Sequence, residues 1–448
     1  MLNCKVKRNT TLLYFFILAG FLFRIYFATS LPLWHDEAYS IWASQHSINQ
    51  IVRATTDPVH PPGYYLLLHF WGKISDHLYW LRLISIIAFL LNAYLLKKLG
   101  ERTQIVLLPL FLVFLYSFSG YFIIFDWQVR MYSIIVTFIL LSLFILDKNN
   151  NELHKEKKRI TWIFFTIVNT IGLYIDYSYF WYFIPLTLFF LVFSIVKRNQ
   201  QSFFITLSLF ISGFLFLLIH PSIISTYNRG IAGISWAKPY LSPTFFIPYF
   251  LGTHKNTFFT AVLLIFSFLG LNTVIRIKPF SHIVKVFILT SGFSLFSTLI
   301  YSLLITPLFH VRSMQIVGIT ILVLLSFSIH NLRKQFRKPF ILILCTIVIL
   351  NFALVIQIFS RSPGQLLVSF FPWKQVVSNL NTNGIKIIRY RETYQLPSPL
   401  LLWGLQYTLN GKESFPIQKI QFGELESATK EEKCVLFYDI LLELYSCK

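Results

Sequence analysis

The chain predicts an all-α polytopic membrane protein of about eleven transmembrane helices, followed by a small outward α/β domain at its C-terminal end. Three observations predict it. Hydrophobic residues make up 55% of the 448 positions and charged ones only 13%, outside the balance of a soluble domain. Apolar runs near the roughly 17 to 25 residues that a helix needs to cross the hydrocarbon core recur along the chain. Near Ser362 the composition changes to turn-forming stretches such as "PWKQVVSNLNTNG", followed by the β-like runs "IKIIRY" and "KCVLFYDI".

The apolar runs lie near 10–30, 78–96, 104–122, 131–146, 160–176, 179–196, 202–220, 258–275, 283–304, 312–329 and 339–358. Basic clusters at Lys5–Arg8, Lys97–Arg102, Lys148–Arg159, Lys197–Arg198, Arg276–Lys285 and Arg333–Lys338 fall on alternate sides of these runs. The intervening loops hold fewer cations, among them Arg53, Arg130 and Arg312, so the positive-inside rule predicts a cytoplasmic N-terminus. The formal net charge of +21 is thereby spent on topology and does not point to nucleic acid, since the basic residues are not gathered on one soluble face. The first run has a basic start, as a signal peptide does. It is long and no small-x-small cleavage site follows it, which predicts an uncleaved first span.

Three outward segments interrupt the pattern. In 31–77, Pro62 is placed to start a short helix over "GYYLLLHFW", lying along the membrane surface with Tyr64, Tyr65 and Trp71 at headgroup level. The segment 221–257 is rich in Pro, Gly, Tyr and Trp. The tail, residues 361–448, is predicted as a separate domain beside the 1–360 membrane domain, and its Cys434 and Cys447 are the cysteines available to pair outside the membrane. No fixed-period repeat is visible, which argues against repeat-built transporters.

Chemistry-bearing residues concentrate in the outward loops. In "WHDEAYS", Asp36 is either the N-cap of a helix over "EAYSIWAS" or a pocket carboxylate, and the two do not exclude each other; Glu37 stands beside it. Asp57 and Pro58 read as a turn, and His60 precedes two prolines. Arg130 in "WQVRMYS" and Arg312 in "FHVRS" stand at outward ends of spans, against the positive-inside trend; snorkelling to lipid headgroups is the plain alternative for Arg130, and an interfacial location for His310. Two carboxylates, two histidines and two arginines suit group transfer from a phosphorylated lipid. Arginine matches phosphate geometry and stays charged, while a carboxylate can take the proton of an incoming hydroxyl. His35, Asp36, Glu37 and His60 offer oxygen and nitrogen atoms but no recognised ligand spacing, so a metal is not favoured and no cofactor is expected.

The order "WHDEAYS", "HPPGYYLLLHFW", "WQVRMYS" and "FHVRS" resembles the bacterial members of the dolichyl-phosphate-mannose protein mannosyltransferase superfamily, multi-span GT-C glycosyltransferases that include the aminoarabinose transferase of lipid A. The similarity runs from about residue 10 to 360. It implies Asp36 as catalytic base, with Glu37 supporting it or contacting the acceptor. It implies His60, Pro61 and Pro62 beside the pocket with Tyr65 as a further substrate contact, Arg130 and Tyr132 in an "ARMYS"-like element, and Arg312 as a candidate for the lipid phosphate. It further implies a polyprenyl-phosphate sugar donor, an inverting reaction, and an acceptor that is a glycolipid, a surface polysaccharide or a protein, at the outer face of a bacterial plasma membrane. Three positions depart from the pattern: Gln128 where Glu is common, Ser313 where an aromatic usually follows the arginine, and Asp176 where His is frequent. A transporter or lipid-linked sugar flippase is the rival reading, and predicts ionisable residues at mid-span and repeated halves. A non-catalytic scaffold is the third.

Overall fold

The computed structural model describes residues 2–361 apart from 32, 54–59, 104, 151–154, 221–222, 224–242, 254–255, 277–281, 305–308, 310 and 337; beyond 361 it describes four strands. The turn at Asp57–Pro58, His310 and Cys434 therefore lie outside the described residues.

The helices are α1 (Leu2–Ser30), α2 (His35–Ser44), α3 (Ile48–Val52), α4 (Gly63–Gly72), α5 (Leu78–Arg102), α6 (Leu108–Phe118), α7 (Gly120–Phe125), α8 (Tyr132–Asn150), α9 (Lys155–Ile175), α10 (Phe180–Lys197), α11 (Gln200–Ile219), α12 (Pro243–Phe250), α13 (Thr257–Arg276), α14 (His282–Leu304), α15 (Gln315–Phe336) and α16 (Lys338–Arg361), with short 3-10 turns at Tyr177–Tyr179 and Val311–Ser313. Among the described residues, six helical segments are long and apolar enough to cross a membrane by length and composition: Thr10–Ser30, Leu78–Arg102, Tyr177–Lys197, Gln200–Ile219, Thr257–Arg276 and Val284–Leu304. Shorter apolar helices at Leu108–Phe118, Tyr132–Asp147, Ile160–Ile175, Gln315–Ile329 and Cys345–Gln357 fall on the remaining runs. The chain is a multi-pass membrane protein, and its described residues up to 361 are all-α.

Contacts group the chain into two compact units, one of residues 1–29 and 46–361, the other of residues 30–45 and 362–448. In the first, α5 packs on α6 and α8, α9 on α8 and α11, α10 on α11 and α14, and α15 on α6, α13 and α16. The polarity is inverted relative to a water-soluble bundle. Phe15, Phe164, Phe210, Phe268 and Phe296 face outward, while Ser and Thr are buried. Their hydroxyls return to the carbonyl one turn back, as Thr206 does to Ser202 (2.8 Å) and Ser326 to Leu322 (2.8 Å). Hydrocarbon can solvate the phenylalanines but not an unpaired hydroxyl, so the small polar residues turn inward.

The apolar run near 104–122 does not form one helix. It ends at Phe118, continues through an extended Ser119 (φ −68°, ψ 124°) and restarts as α7. Gly120 packs directly on the backbone of Gly252, whose φ is +65°; a Cβ on either would overlap the other's main chain.

The second unit contains α2 and a mixed sheet in the order β2-β1-β4-β3, from β1 (Ile387–Glu392), β2 (Ile417–Lys419), β3 (Val435–Tyr438) and β4 (Leu442–Cys447). β1 pairs in parallel with β2, Ile388 opposite Ile417, and antiparallel with β4, Ile388 opposite Ser446.

Candidate active site

The sequence "HPPGYY" folds as a helix entry. Pro62 is the N-cap of α4 at φ −74°, and its carbonyl accepts the Leu66 N–H at 3.0 Å. Gly63 lies against the Tyr174 carbonyl near the end of α9, so closely that a Cβ there would overlap it. The far end of α4 is clasped by two indoles. Trp71 donates to the Trp80 carbonyl at 2.9 Å and Trp80 to that of Trp71 at 3.0 Å, with ring centroids 4.5 Å apart and 8° between planes. Tyr64 and Tyr65 are 0% and 1% exposed, which corrects the expectation that they stand at headgroup level: α4 is pressed into protein, and its tyrosines fill that contact. Gly63→Ala should lower thermal stability by about 1 to 3 kcal/mol, the usual cost of overpacking, read as a drop in the melting midpoint in detergent.

The turn between α7 and α8 is fastened residue by residue. Asp126 takes the Arg24 guanidinium of α1 at 2.9 Å and the Ser133 hydroxyl at 2.7 Å. Arg24 is fully buried, donates also to the Gly20 and Ser117 carbonyls at 3.1 Å each, and lies 3.7 Å from the Phe89 ring centroid. Trp127 is covered by the Arg82 guanidinium at 4.8 Å, and Arg82 donates to the Ala28 carbonyl at 2.6 Å. The Gln128 carbonyl accepts from Ser85 at 2.5 Å.

That turn presents Arg130, which is 4% exposed, so snorkelling to headgroups does not describe it. Its Nη2 donates to His60 Nε2 at 2.9 Å. Its guanidinium carbon lies 5.7 Å from the centroid of the Tyr132 ring. On the other side of the imidazole, Nδ1 of His60 is 3.9 Å from Asp176 Oδ1, an electrostatic contact rather than a hydrogen bond. Asp176 caps the 3-10 turn by accepting the Ser178 N–H at 2.8 Å. Burial pushes its carboxyl upward, but His60, the Ser178 amide and the Arg130 charge outweigh this and hold it below the usual carboxylate range. Beyond it, Tyr177 and His220 share a hydrogen bond of 2.6 Å with parallel rings. Burial lowers the His220 imidazole, which favours its neutral form.

Asp36 and Glu37 lie on α2, in the second unit. The capping expectation for Asp36 is corrected: the N-cap position is Trp34, and Glu37, fully buried, reaches back to accept the Trp34 N–H at 3.0 Å. Asp36 sits one residue earlier and half-buried, its carboxylate not required for the cap. Pro61 is buried ahead of α4, and Arg312 is half-buried in the turn that precedes α15, its carbonyl accepting from Gln315 at 2.9 Å. The structure thus brings together His60, Arg130 and Tyr132, and adds Asp176. Among the described residues no group of three His, Cys, Asp or Glu side chains has metal-binding geometry. Asp126 and Arg24 escaped assignment from sequence, although an arginine inside an apolar run signals a buried carboxylate elsewhere.

No family model and no curated protein matches the sequence. Solved structures do. ArnT from Cupriavidus metallidurans in the apo state superposes with a TM-score of 0.59 at 9% identity, covering 98% of this chain and 98% of that one. The same protein bound to undecaprenyl phosphate gives 0.58 at 10% identity, covering 97% of each. At such identities the likeness speaks for architecture, and it extends over nearly the whole of both chains: the protein has the fold of ArnT, the multi-span fold that its resemblance to the GT-C glycosyltransferases implies.

Proposed function

We propose that the protein is an inverting glycosyltransferase that moves a sugar from a polyprenyl-phosphate carrier to an extracytoplasmic acceptor, which is a glycolipid, a surface polysaccharide or a protein hydroxyl. The observation that carries this is Arg130, a buried arginine whose guanidinium meets the acceptor nitrogen of His60 beside Asp176. ArnT, whose fold this is, binds undecaprenyl phosphate. The reading further places the N-terminus in the cytoplasm and the strand-bearing tail outside the plasma membrane of a bacterium, following the basic clusters.

In this mechanism the acceptor oxygen attacks the anomeric carbon, and the bond from that carbon to the phosphate oxygen breaks with its electron pair going to phosphate. Asp36 takes the acceptor's proton. Arg130, with Arg312, neutralises the charge that gathers on the departing polyprenyl phosphate, a task suited to fixed cations. One displacement without a covalent intermediate inverts the anomeric centre. Glu37 maintains the start of α2 and so the backbone from which Asp36 projects. His60, Pro61 and Tyr65 belong to the donor side.

The test uses purified protein in lipid, supplied with polyprenyl-phosphate sugars and candidate acceptors. Free polyprenyl phosphate should appear, with a product of inverted anomeric configuration. Arg130→Lys should lower kcat/KM for the donor by roughly 10- to 100-fold, since hydrogen bonds to charged groups are worth roughly 1.5 to 3 kcal/mol. Retention of configuration, or an Arg130→Lys enzyme as fast as wild type, would count against the mechanism.

A further inference from the structure

We propose that Asp176 is a positioning residue that holds His60 ready to accept a proton as the donor phosphate binds, so that carrier binding and proton uptake at His60 are one event. This rests on the donor reading above and deepens it.

The argument starts from donors and acceptors. A guanidinium has no acceptor, so the 2.9 Å contact from Arg130 requires a lone pair on Nε2 of His60. The ring is therefore neutral in the carrier-free protein, and its single proton sits on Nδ1, the nitrogen turned toward Asp176 at 3.9 Å. A phosphate arriving at the Arg130 guanidinium finds that lone pair beside it. Lone pair against anionic oxygen is repulsive; a proton taken from solvent onto Nε2 turns it into a second donor. The ring then carries a full charge, and the carboxylate behind Nδ1 is the group that stabilises it. No bond in the donor breaks in this step, and the buffer supplies the proton.

Facing His60 are Arg130 from the α7–α8 turn and Asp176 from the end of α9. Tyr174 meets α4 through its carbonyl at Gly63. The other helices packed on α4 are α3 and α5; Arg53, which follows α3, is exposed, and Arg82 of α5 is turned to Ala28 and Trp127.

Two measurements test the proposal. In the full-length protein without carrier, nitrogen-15 spectra of the histidines, with the His60 ring assigned by its loss in His60→Asn, should show the neutral Nδ1–H form. Calorimetry with a short-chain polyprenyl phosphate, repeated in buffers of different ionisation enthalpy, should show proton uptake on binding by wild type across the imidazole range of about pH 5 to 8. Asp176→Asn should lose that uptake and bind roughly tenfold more weakly, the effect of one charged contact, and Asp176→Glu should restore both. An Nε2–H tautomer in wild type, or Asp176→Asn binding weakly with proton uptake intact, would overturn the role of Asp176. Failure of wild type to bind polyprenyl phosphate would overturn the donor reading and the coupling with it. The carrier-free spectra would still report on the Asp176–His60 pair, so the two failures are distinguishable.

Discussion

Asp36→Asn is expected to slow release of polyprenyl phosphate from a polyprenyl-phosphate sugar by at least about a hundredfold, the lower end of what a positioned general base contributes. The structure makes this substitution more informative than it was on the sequence, where a lost base and a lost helix cap predict the same damage. Glu37 takes the Trp34 N–H and supplies the cap. Asn is isosteric with Asp, and losing one first-turn charge costs about 0.3 to 1 kcal/mol while Glu37 keeps the cap, so α2 should form as before. A matched melting temperature together with a collapse in kcat, and little change in KM for the donor, would identify a group used in the transition state. Equal turnover by the two proteins would remove Asp36 from the mechanism and leave the acceptor hydroxyl without its assigned base.

The second large effect concerns stability. Arg24→Met should destabilise the protein by about 3 to 5 kcal/mol, because it leaves Asp126 buried with its charge uncompensated. The pair Arg24→Met with Asp126→Leu should recover most of that loss, since removing both charges also removes the cost of desolvating them. Thermal midpoints of the single, the double and the wild type in the same detergent decide it. A single substitution as stable as wild type would mean that the contact carries no net energy in the fold. Recovery of stability by the double variant without recovery of turnover would assign the ion pair a further task, holding the turn that presents Arg130.

The membrane architecture was legible because hydrocarbon imposes a strong rule on composition: an apolar run near span length in a chain with little charge has few outcomes other than a helix. The break at Ser119 was not legible, because the backbone contact between Gly120 and Gly252 joins residues more than a hundred positions apart. In the tail, "IKIIRY" and "KCVLFYDI" announced β1 and β3 through their β-branched and aromatic residues, while "IQK" and "LELYSC" are too short or too mixed to stand out. The candidate site was half visible. His60, Arg130 and Tyr132 were read from their motifs, and the structure draws them together. Asp176 was seen only as a departure from a pattern, since its meaning depends on a histidine 116 positions earlier in the chain. Asp36 and Glu37 were read as a pair, and adjacent carboxylates cannot reveal in advance which of them turns back to the helix start.

The fastening of the turn from Asp126 to Arg130 also bears on how this protein can change over generations. Three consecutive residues are each tied to a different partner, Asp126 to Arg24, Trp127 to Arg82 and Gln128 to Ser85. Surface loops ordinarily absorb added or lost residues, because a longer closure costs little entropy. This turn cannot. One residue more or fewer would release at least one of those anchors and rotate Arg130 off His60, so its length is as fixed as its chemistry, and lineages that diversify their loops would have to do so elsewhere.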